Sequence, residues 1–435
     1  MRIGAPADDL INGLQKAVQN QPSCSMLRAW LQLASGTLTF EEFYEFTCTQ
    51  RELTFLAIDA TGACDLTCES MCYYHPGIDI RARPSSIEAL NKAVSEADSK
   101  LNLKALVVAG KEPLLNARRV FELTESAAGI EGRGFIVGIV TNGRHIHRHW
   151  PALVRAAGNR SLNFIDVSID SGIPEQHDAI RGLPGTFDLS FAAVQEAVQR
   201  LQGVRVGVTS VLRKDNADGI IQLLRKASPA VSNFCVHPIQ PPPFVASPPL
   251  DVSDLSSFLG KLIKLLDTEL AGANIEVLVL IHGIYAQEAE SCGFFSWSEL
   301  REDQHGQIFA SKALGGNKVV YTLSILPECG WRQARITYTG DYLATAHFLQ
   351  TPSPADYSVG NIESDSIVSL YEKSKEPRSH FYQLLQARKA HACRRRPCWY
   401  TCFGGWTVSE NGFISGHPLT DQPRLCLKTE SDFSR

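Results

Sequence analysis

The sequence lacks a stretch that would cross a membrane. Its longest mostly apolar run, Ile275 to Ile281, is far shorter than the roughly 20 residues a spanning helix needs. The opening Met-Arg-Ile-Gly-Ala-Pro-Ala-Asp-Asp has no apolar core of an export signal. Neither sign of charge is in excess: 42 basic against 46 acidic residues give a formal net charge of −4. That excludes the basic footprint of a nucleic-acid-binding chain. The expectation is a cytoplasmic protein with neither a membrane nor a nucleic acid as partner. Hydrophobic residues make up 44% and charged residues 20% of the 435. These are ordinary globular proportions, at a length that accommodates two or three domains. In a chain without an export signal, twelve cysteines argue for metal ligation rather than disulfides.

Three of those cysteines fall within nine residues, Cys64-Asp65-Leu66-Thr67-Cys68-Glu69-Ser70-Met71-Cys72. They follow the apolar run Leu53 to Ala60, which reads as a buried strand, so they occupy the loop leaving it. Closed zinc and iron–sulfur sites usually take four protein ligands, and the next cysteine is Cys235, far along the chain. Three thiolates leave one coordination position open, which is where metal chemistry occurs. On these residues alone, a structural zinc loop is the alternative.

The loop resembles the cluster loop of the radical S-adenosylmethionine (SAM) enzymes. The resemblance implies a 4Fe–4S cluster on Cys64, Cys68 and Cys72, with SAM bound at the fourth iron and cleaved reductively to a 5′-deoxyadenosyl radical. The usual spacing in that family is C-x3-C-x2-C; here it is C-x3-C-x3-C, one residue longer.

Strand-like runs recur at 53–60, 104–109, 134–140, 164–169, 204–212 and 233–238, with helical patterns between them. In one helix Phe187, Phe191, Val194, Val198 and Leu201 form a stripe; another follows the cap residues Asp215-Asn216. Strand–helix alternation implies a parallel sheet with helical crossovers. Six units give an α/β fold, a partial (βα)6 TIM-like barrel over residues 51–250, as the resemblance also implies. Residues 1–50 read as a helical extension packed on the barrel. Residues 251–324 form a linker region with a helix and strands.

In such barrels function collects at the carboxyl ends of the strands. After the second strand, Gly110-Lys111-Glu112-Pro113 resembles the family's G-G-E-P motif, which implies contact with the SAM amino group; Lys111 replaces the second glycine. After the third comes Val140-Thr141-Asn142-Gly143, also common in the family. The following Arg144-His145-Ile146-His147-Arg148-His149 reads as a solvated helix start, because alternating histidines point in different directions. The fourth strand carries Asp166, Ser168 and Asp170 on one face, then His177-Asp178-Ala179-Ile180-Arg181-Gly182. The resemblance implies that Ser168 and Asp170 meet SAM, and that Arg181 pairs with a carboxylate or braces the loop. On the sixth strand Cys235 and His237 share a face toward the lumen. A thiol there can give a hydrogen atom to a carbon radical, or simply pack.

A second cysteine group closes the chain. Cys393, Cys398 and Cys402 form C-x4-C-x3-C, followed by Phe403-Gly404-Gly405-Trp406 and later by Cys426. With the hairpin pattern Ile336 to Asp341, residues 325–435 resemble a SPASM domain, the auxiliary-cluster module of many radical SAM enzymes. Thr345 and Trp406 stand where that module places two cysteines. The resemblance therefore implies one auxiliary 4Fe–4S cluster, closed by Cys393, Cys398, Cys402 and Cys426, with Cys329 left over. Zinc on the same four thiolates is the alternative.

The function expected is hydrogen-atom abstraction from a substrate carbon, leading to oxidation, ring closure or epimerisation in natural-product biosynthesis. Cys235 is the candidate hydrogen donor for epimerisation. The partners expected are a small-molecule or peptide substrate and an electron donor such as flavodoxin or ferredoxin. A ribosomal-peptide maturase is the alternative within this class. A non-catalytic iron–sulfur or zinc scaffold is the alternative outside it.

Overall fold

The computed structural model describes residues 8–49, 52–68, 71–78, 81–239, 250–303, 307–324, 332–351, 353–376, 378–379 and 399–402. Six parallel strands follow the expected order: β1 (Phe55–Asp59), β2 (Ala105–Ala109), β3 (Ile136–Thr141), β4 (Phe164–Ser168), β5 (Arg205–Leu212) and β6 (Asn233–Pro238). The chain is thus the expected α/β partial barrel. Alternation along each strand explains its two faces. Leu56, Ile58, Leu106, Val108, Val137, Ile139, Ile165 and Val167 face the helices and are fully buried with them. Phe55, Val107, Ala109, Val140 and Phe164 gather separately on the lumen face.

Numbered in chain order, the crossover helices are α4 (Ile87–Leu101), α5 (Ala117–Ala128), α6 (Trp150–Gly158), α7 (Pro174–Arg181), α8 (Thr186–Arg200) and α9 (Ala217–Ala227). In α8 the stripe expected from Phe187 to Leu201 is corrected at one position. Val198 is exposed, and the small residues Ala193 and Ala197 are buried instead, close against the sheet. Asn216 is not the side-chain cap expected for α9. It is fully buried, and its Nδ2 donates to the carbonyls of Asp170 (2.9 Å) and Val211 (2.8 Å), tying the ends of β4 and β5 together.

The sheet continues beyond the six strands. After α10 (Val252–Lys264), β7 (Glu276–His282) pairs parallel with β6. The helix α11 (Gly283–Ser291) follows, then β8 (Arg301–Glu302), β9 (Ile308–Leu314) and β10 (Asn317–Ser324). At the other edge β11 (Gln333–Ile336) pairs parallel with β1 and turns into β12 (Tyr342–Leu343), the expected hairpin. The full order is β12-β11-β1-β2-β3-β4-β5-β6-β7-β10-β9-β8. The strands expected in the linker region 251–324 therefore belong to the barrel's own sheet.

Of the N-terminal helices, α1 (Asp8–Asn20) packs on the turn Trp297–Glu299, α2 (Ser25–Ala34) on α1 and β8, and α3 (Phe40–Thr49) on α2. Trp30 stacks edge-on against Trp297 at 6.0 Å and donates to the Tyr400 carbonyl at 2.8 Å. The first turn of α2 has no side-chain cap of its own. Glu302 on β8 supplies one, accepting from the backbone N–H groups of Met26 (3.0 Å) and Leu27 (3.1 Å).

Candidate active site at the carboxyl ends of the strands

The loop after β1 brings Cys64, Cys68 and Cys72 onto the wall of a single cavity of about 520 Å³. Burial pushes the Cys64 thiol up to about 12 and raises that of Cys68. A bound metal, which takes the thiolate, would reverse this. Among the described residues no three His, Cys, Asp or Glu side chains converge closely enough to hold one metal ion. A cubane takes each thiolate on a different iron, so three separate thiols around one cavity fit it.

Three clasps fix the loop. Asp65, between the first two cysteines, accepts from Asn142 Nδ2 at 3.1 Å, pairs with His145 Nε2 at 2.9 Å and meets the Arg144 guanidinium. Burial raises its carboxyl, but His145, Arg144 and Asn142 together outweigh that and hold it below the usual carboxylate range. This corrects the reading of residues 144–149 as a solvated helix start: His145 is buried and Arg144 turns inward to the loop. Thr67 Oγ1 donates to the Gly182 carbonyl at 3.1 Å. A side chain on Gly182 would collide with Thr67 at 2.4 Å, and its φ of 73° already favours glycine. Finally, Arg181 lines the cavity and its carbonyl lies 3.7 Å from the Cys68 thiol.

Gly110 also lines the cavity. Its φ is 119°, and a Cβ there would lie 2.6 Å from the Thr61 carbonyl. Only glycine lets the β2 loop lie so close to the cluster loop. Lys111 is half-buried on the same wall and makes no hydrogen bond or ion pair with any described residue. Glu112 points away from the cavity and is wholly buried. It accepts from Thr141 Oγ1 (2.7 Å) and from the N–H groups of Asn142 (2.7 Å) and Leu114 (3.0 Å), while its own N–H donates to Ala63 (3.0 Å). It therefore joins the loops after β1, β2 and β3. Pro113 opens the short turn that follows.

Ser168 lines the cavity from β4. Asp170, expected beside it, does not. It is fully buried and pairs with Arg181 Nε at 2.6 Å, and its Oδ1 accepts from Val211 N–H at 2.9 Å. The chain turns out of β4 after Ser168, which carries Asp170 behind the wall, where it orients Arg181. His177 Nδ1 accepts the Asp170 N–H at 3.1 Å, and burial lowers its pKa to about 4, keeping it neutral.

Cys235 lies on the lumen face of β6 but is not among the residues that line the cavity. Strand register sets it level with Thr209, which is level with the cavity-lining Ser168. Its Sγ lies 3.0 Å from His237 Nε2. Burial, with Asp166 nearby, pushes the thiol up to about 12, and burial lowers His237 to about 4. Both are therefore neutral near pH 7.

One cluster is absent from the sequence-based expectations. Arg335 on β11 lines the cavity. It donates to Asp59 from Nε (2.8 Å) and Nη2 (2.5 Å), and Tyr74 donates to the same carboxylate oxygen at 3.0 Å. The only sequence signals were an acid ending an apolar strand and an arginine in an alternating one. Of the second cysteine group, Cys402 ends the short helix Trp399–Cys402; Cys329, Cys393, Cys398 and Cys426 lie outside the described residues.

Residues 58–227 match the family model of the Radical SAM superfamily. That stretch, from β1 to α9, is similar to the radical SAM domain. Two curated relatives are similar over part of it, both AdoMet-dependent heme synthases. That of Methanosarcina barkeri (strain Fusaro / DSM 804) is 27% identical over 172 residues, 40% of this chain and 46% of the relative. That of Oleidesulfovibrio alaskensis (strain ATCC BAA-1058 / DSM 17464 / G20) is 26% identical over 166 residues, 37% and 39% of the two chains. The match thus spans less than half the length of either. In overall fold the chain resembles anSMEcpe with bound AdoMet: TM-score 0.53, 17% identity, covering 81% of this chain and 88% of that one. A structure of anSMEcpe with AdoMet and the Cp18Cys peptide is similar to the same degree, TM-score 0.53 and 17% identity, covering 81% and 89% of the two chains.

Proposed function

We propose that this chain is a SAM-dependent radical enzyme that removes a hydrogen atom from an unactivated carbon of a small-molecule or peptide substrate. The observation that carries this reading is the one cavity shared by Cys64, Cys68, Cys72, Gly110, Asn142 and Ser168. When bound there, a 4Fe–4S cluster and SAM supply a hydrogen-abstracting carbon radical, given one electron from a donor such as flavodoxin or ferredoxin. The chain's own residues position and enclose. Asp65, Thr67 and Arg181 hold the cysteine loop. Gly110 opens the wall to a ligand, and Asn142 and Ser168 offer hydrogen bonds to it. Phe55, Val107 and Val140 keep the lumen apolar, which protects a radical from side reactions.

For the step after abstraction we favour return of a hydrogen atom from Cys235. Two observations support this reading: burial keeps the Cys235 thiol protonated, and strand register sets it level with Thr209 and Ser168. The substrate radical takes hydrogen from the S–H bond. The sulfur radical left behind is restored by one electron from the donor and one proton from solvent. Oxidation through an auxiliary cluster on Cys393, Cys398, Cys402 and Cys426 is the second reading, supported by their spacing.

Anaerobic reconstitution with iron and sulfide, reduction by dithionite and addition of SAM test the first claim. Expected are 5′-deoxyadenosine and about four irons per chain for one cluster, or about eight for two. Iron-loaded protein that forms no deoxyadenosine would overturn it. The Cys235→Ala variant separates the two routes. A hydrogen-returning enzyme still cleaves SAM but loses its inverted product, whereas an oxidase is unaffected.

A further inference from the structure

Among the described residues the cavity wall carries three basic side chains, Lys111, Arg181 and Arg335, and no acidic one. The carboxylates that balance the two arginines stand behind them. Asp170 lies behind Arg181 and Asp59 behind Arg335, and both acids are buried. Lys111 has no acidic partner among the described residues. The wall therefore presents cationic donors inward and keeps their counter-charges outside, as a site for an anionic ligand requires.

Arg181 touches Cys68 in the cluster loop. Arg335 meets that segment only past its last cysteine, at Tyr74. It stands on β11, outside the matched residues 58–227, on the opposite side of β1 from the strands that carry Gly110, Asn142 and Ser168. Its Nε and Nη2 are engaged by Asp59 and Tyr74. Nη1 is the guanidinium's remaining donor nitrogen, on a residue that lines the cavity. The walls beside it, Phe55, Ala57 and Val107, are apolar. Asp59 already balances Arg335, and a planar carboxylate can accept from the guanidinium nitrogen that Asp59 and Tyr74 leave over.

We infer that the substrate carries a carboxylate, received in the lumen by Arg335 with Lys111 at the rim. This rests on the reading of the cavity as the radical site and adds the class of its substrate. The test compares 4-phenylbutyrate with its neutral isostere 4-phenylbutyramide. Binding to the full-length, reconstituted, SAM-saturated chain is measured by saturation-transfer NMR.

The carboxylate should bind about tenfold more tightly than the amide. That preference should vanish when Asp59→Asn and Arg335→Met are combined, a pair that leaves no buried charge unpaired. It should fall about threefold in Lys111→Met, a change at the half-buried rim that leaves the core intact. Equal binding of the two probes overturns the inference. So does binding of neither, or a preference that survives both variants. Absence of deoxyadenosine from the wild-type chain would instead count against the radical reading, whatever the probes do.

Discussion

Glu112 is a fully buried carboxyl that accepts three hydrogen bonds from the β2 and β3 loops. Burial raises its pKa to about 7 against the pull of those donors. The folded value thus lies above the unfolded one. Its contribution to stability is fully present below about pH 4.5 and is lost as pH rises through 7. Glu112→Gln keeps one acceptor oxygen but sets an amide NH₂ against the Asn142 N–H. The expected cost is about 1–3 kcal/mol, larger at pH 5 than at pH 8, read from urea unfolding. An equal cost at both pH values would refute the raised pKa. Residues like Glu112 were visible in the sequence because their neighbours form a motif. Asp65 and Arg335 were not, since their partners lie 80 and 276 residues away. No local pattern carries a pairing at that distance.

At the scale of elements, the six barrel strands were legible because each is a short apolar run between helical periods. Strands β7, β10 and β11 read only as apolar or alternating pieces. Their place is set by parallel pairing with β6, β7 and β1, which sequence period alone does not encode. The same holds for α2, whose first turn is capped from β8 rather than from its own Cys24. Glu302→Ala removes the acceptor of two helix-end N–H groups and a favourable charge at a helix N-terminus. About 1 kcal/mol of local stability should go with it. Hydrogen exchange should speed up several-fold at Met26 and Leu27 while the barrel strands stay protected. Unchanged exchange there would mean that packing of Trp30 alone holds the helix.

Across the whole molecule, buried neutral histidines set the response to acid. His177 fixes the Asp170 backbone, and His282 closes β7; burial lowers their pKa values to about 4 and about 3. Their folded values lie below the unfolded one, so unfolding takes up protons and stability falls as pH drops below about 6.5. Between pH 7 and 5 each loses about 2 kcal/mol. His237, which burial also lowers to about 4, adds a similar loss. Glu112 acts in the opposite sense and regains about 2 kcal/mol over the same range. The wild-type chain should therefore lose a few kcal/mol on acidification, and Glu112→Gln should lose more, because its opposing term is gone. Urea midpoints followed by tryptophan fluorescence between pH 5 and 8 measure both slopes. A variant slope no steeper than the wild type would mean that Glu112 is ionised throughout. Its three donors would then outweigh its burial, and the β1, β2 and β3 loops would be joined at neutral pH by a buried anion.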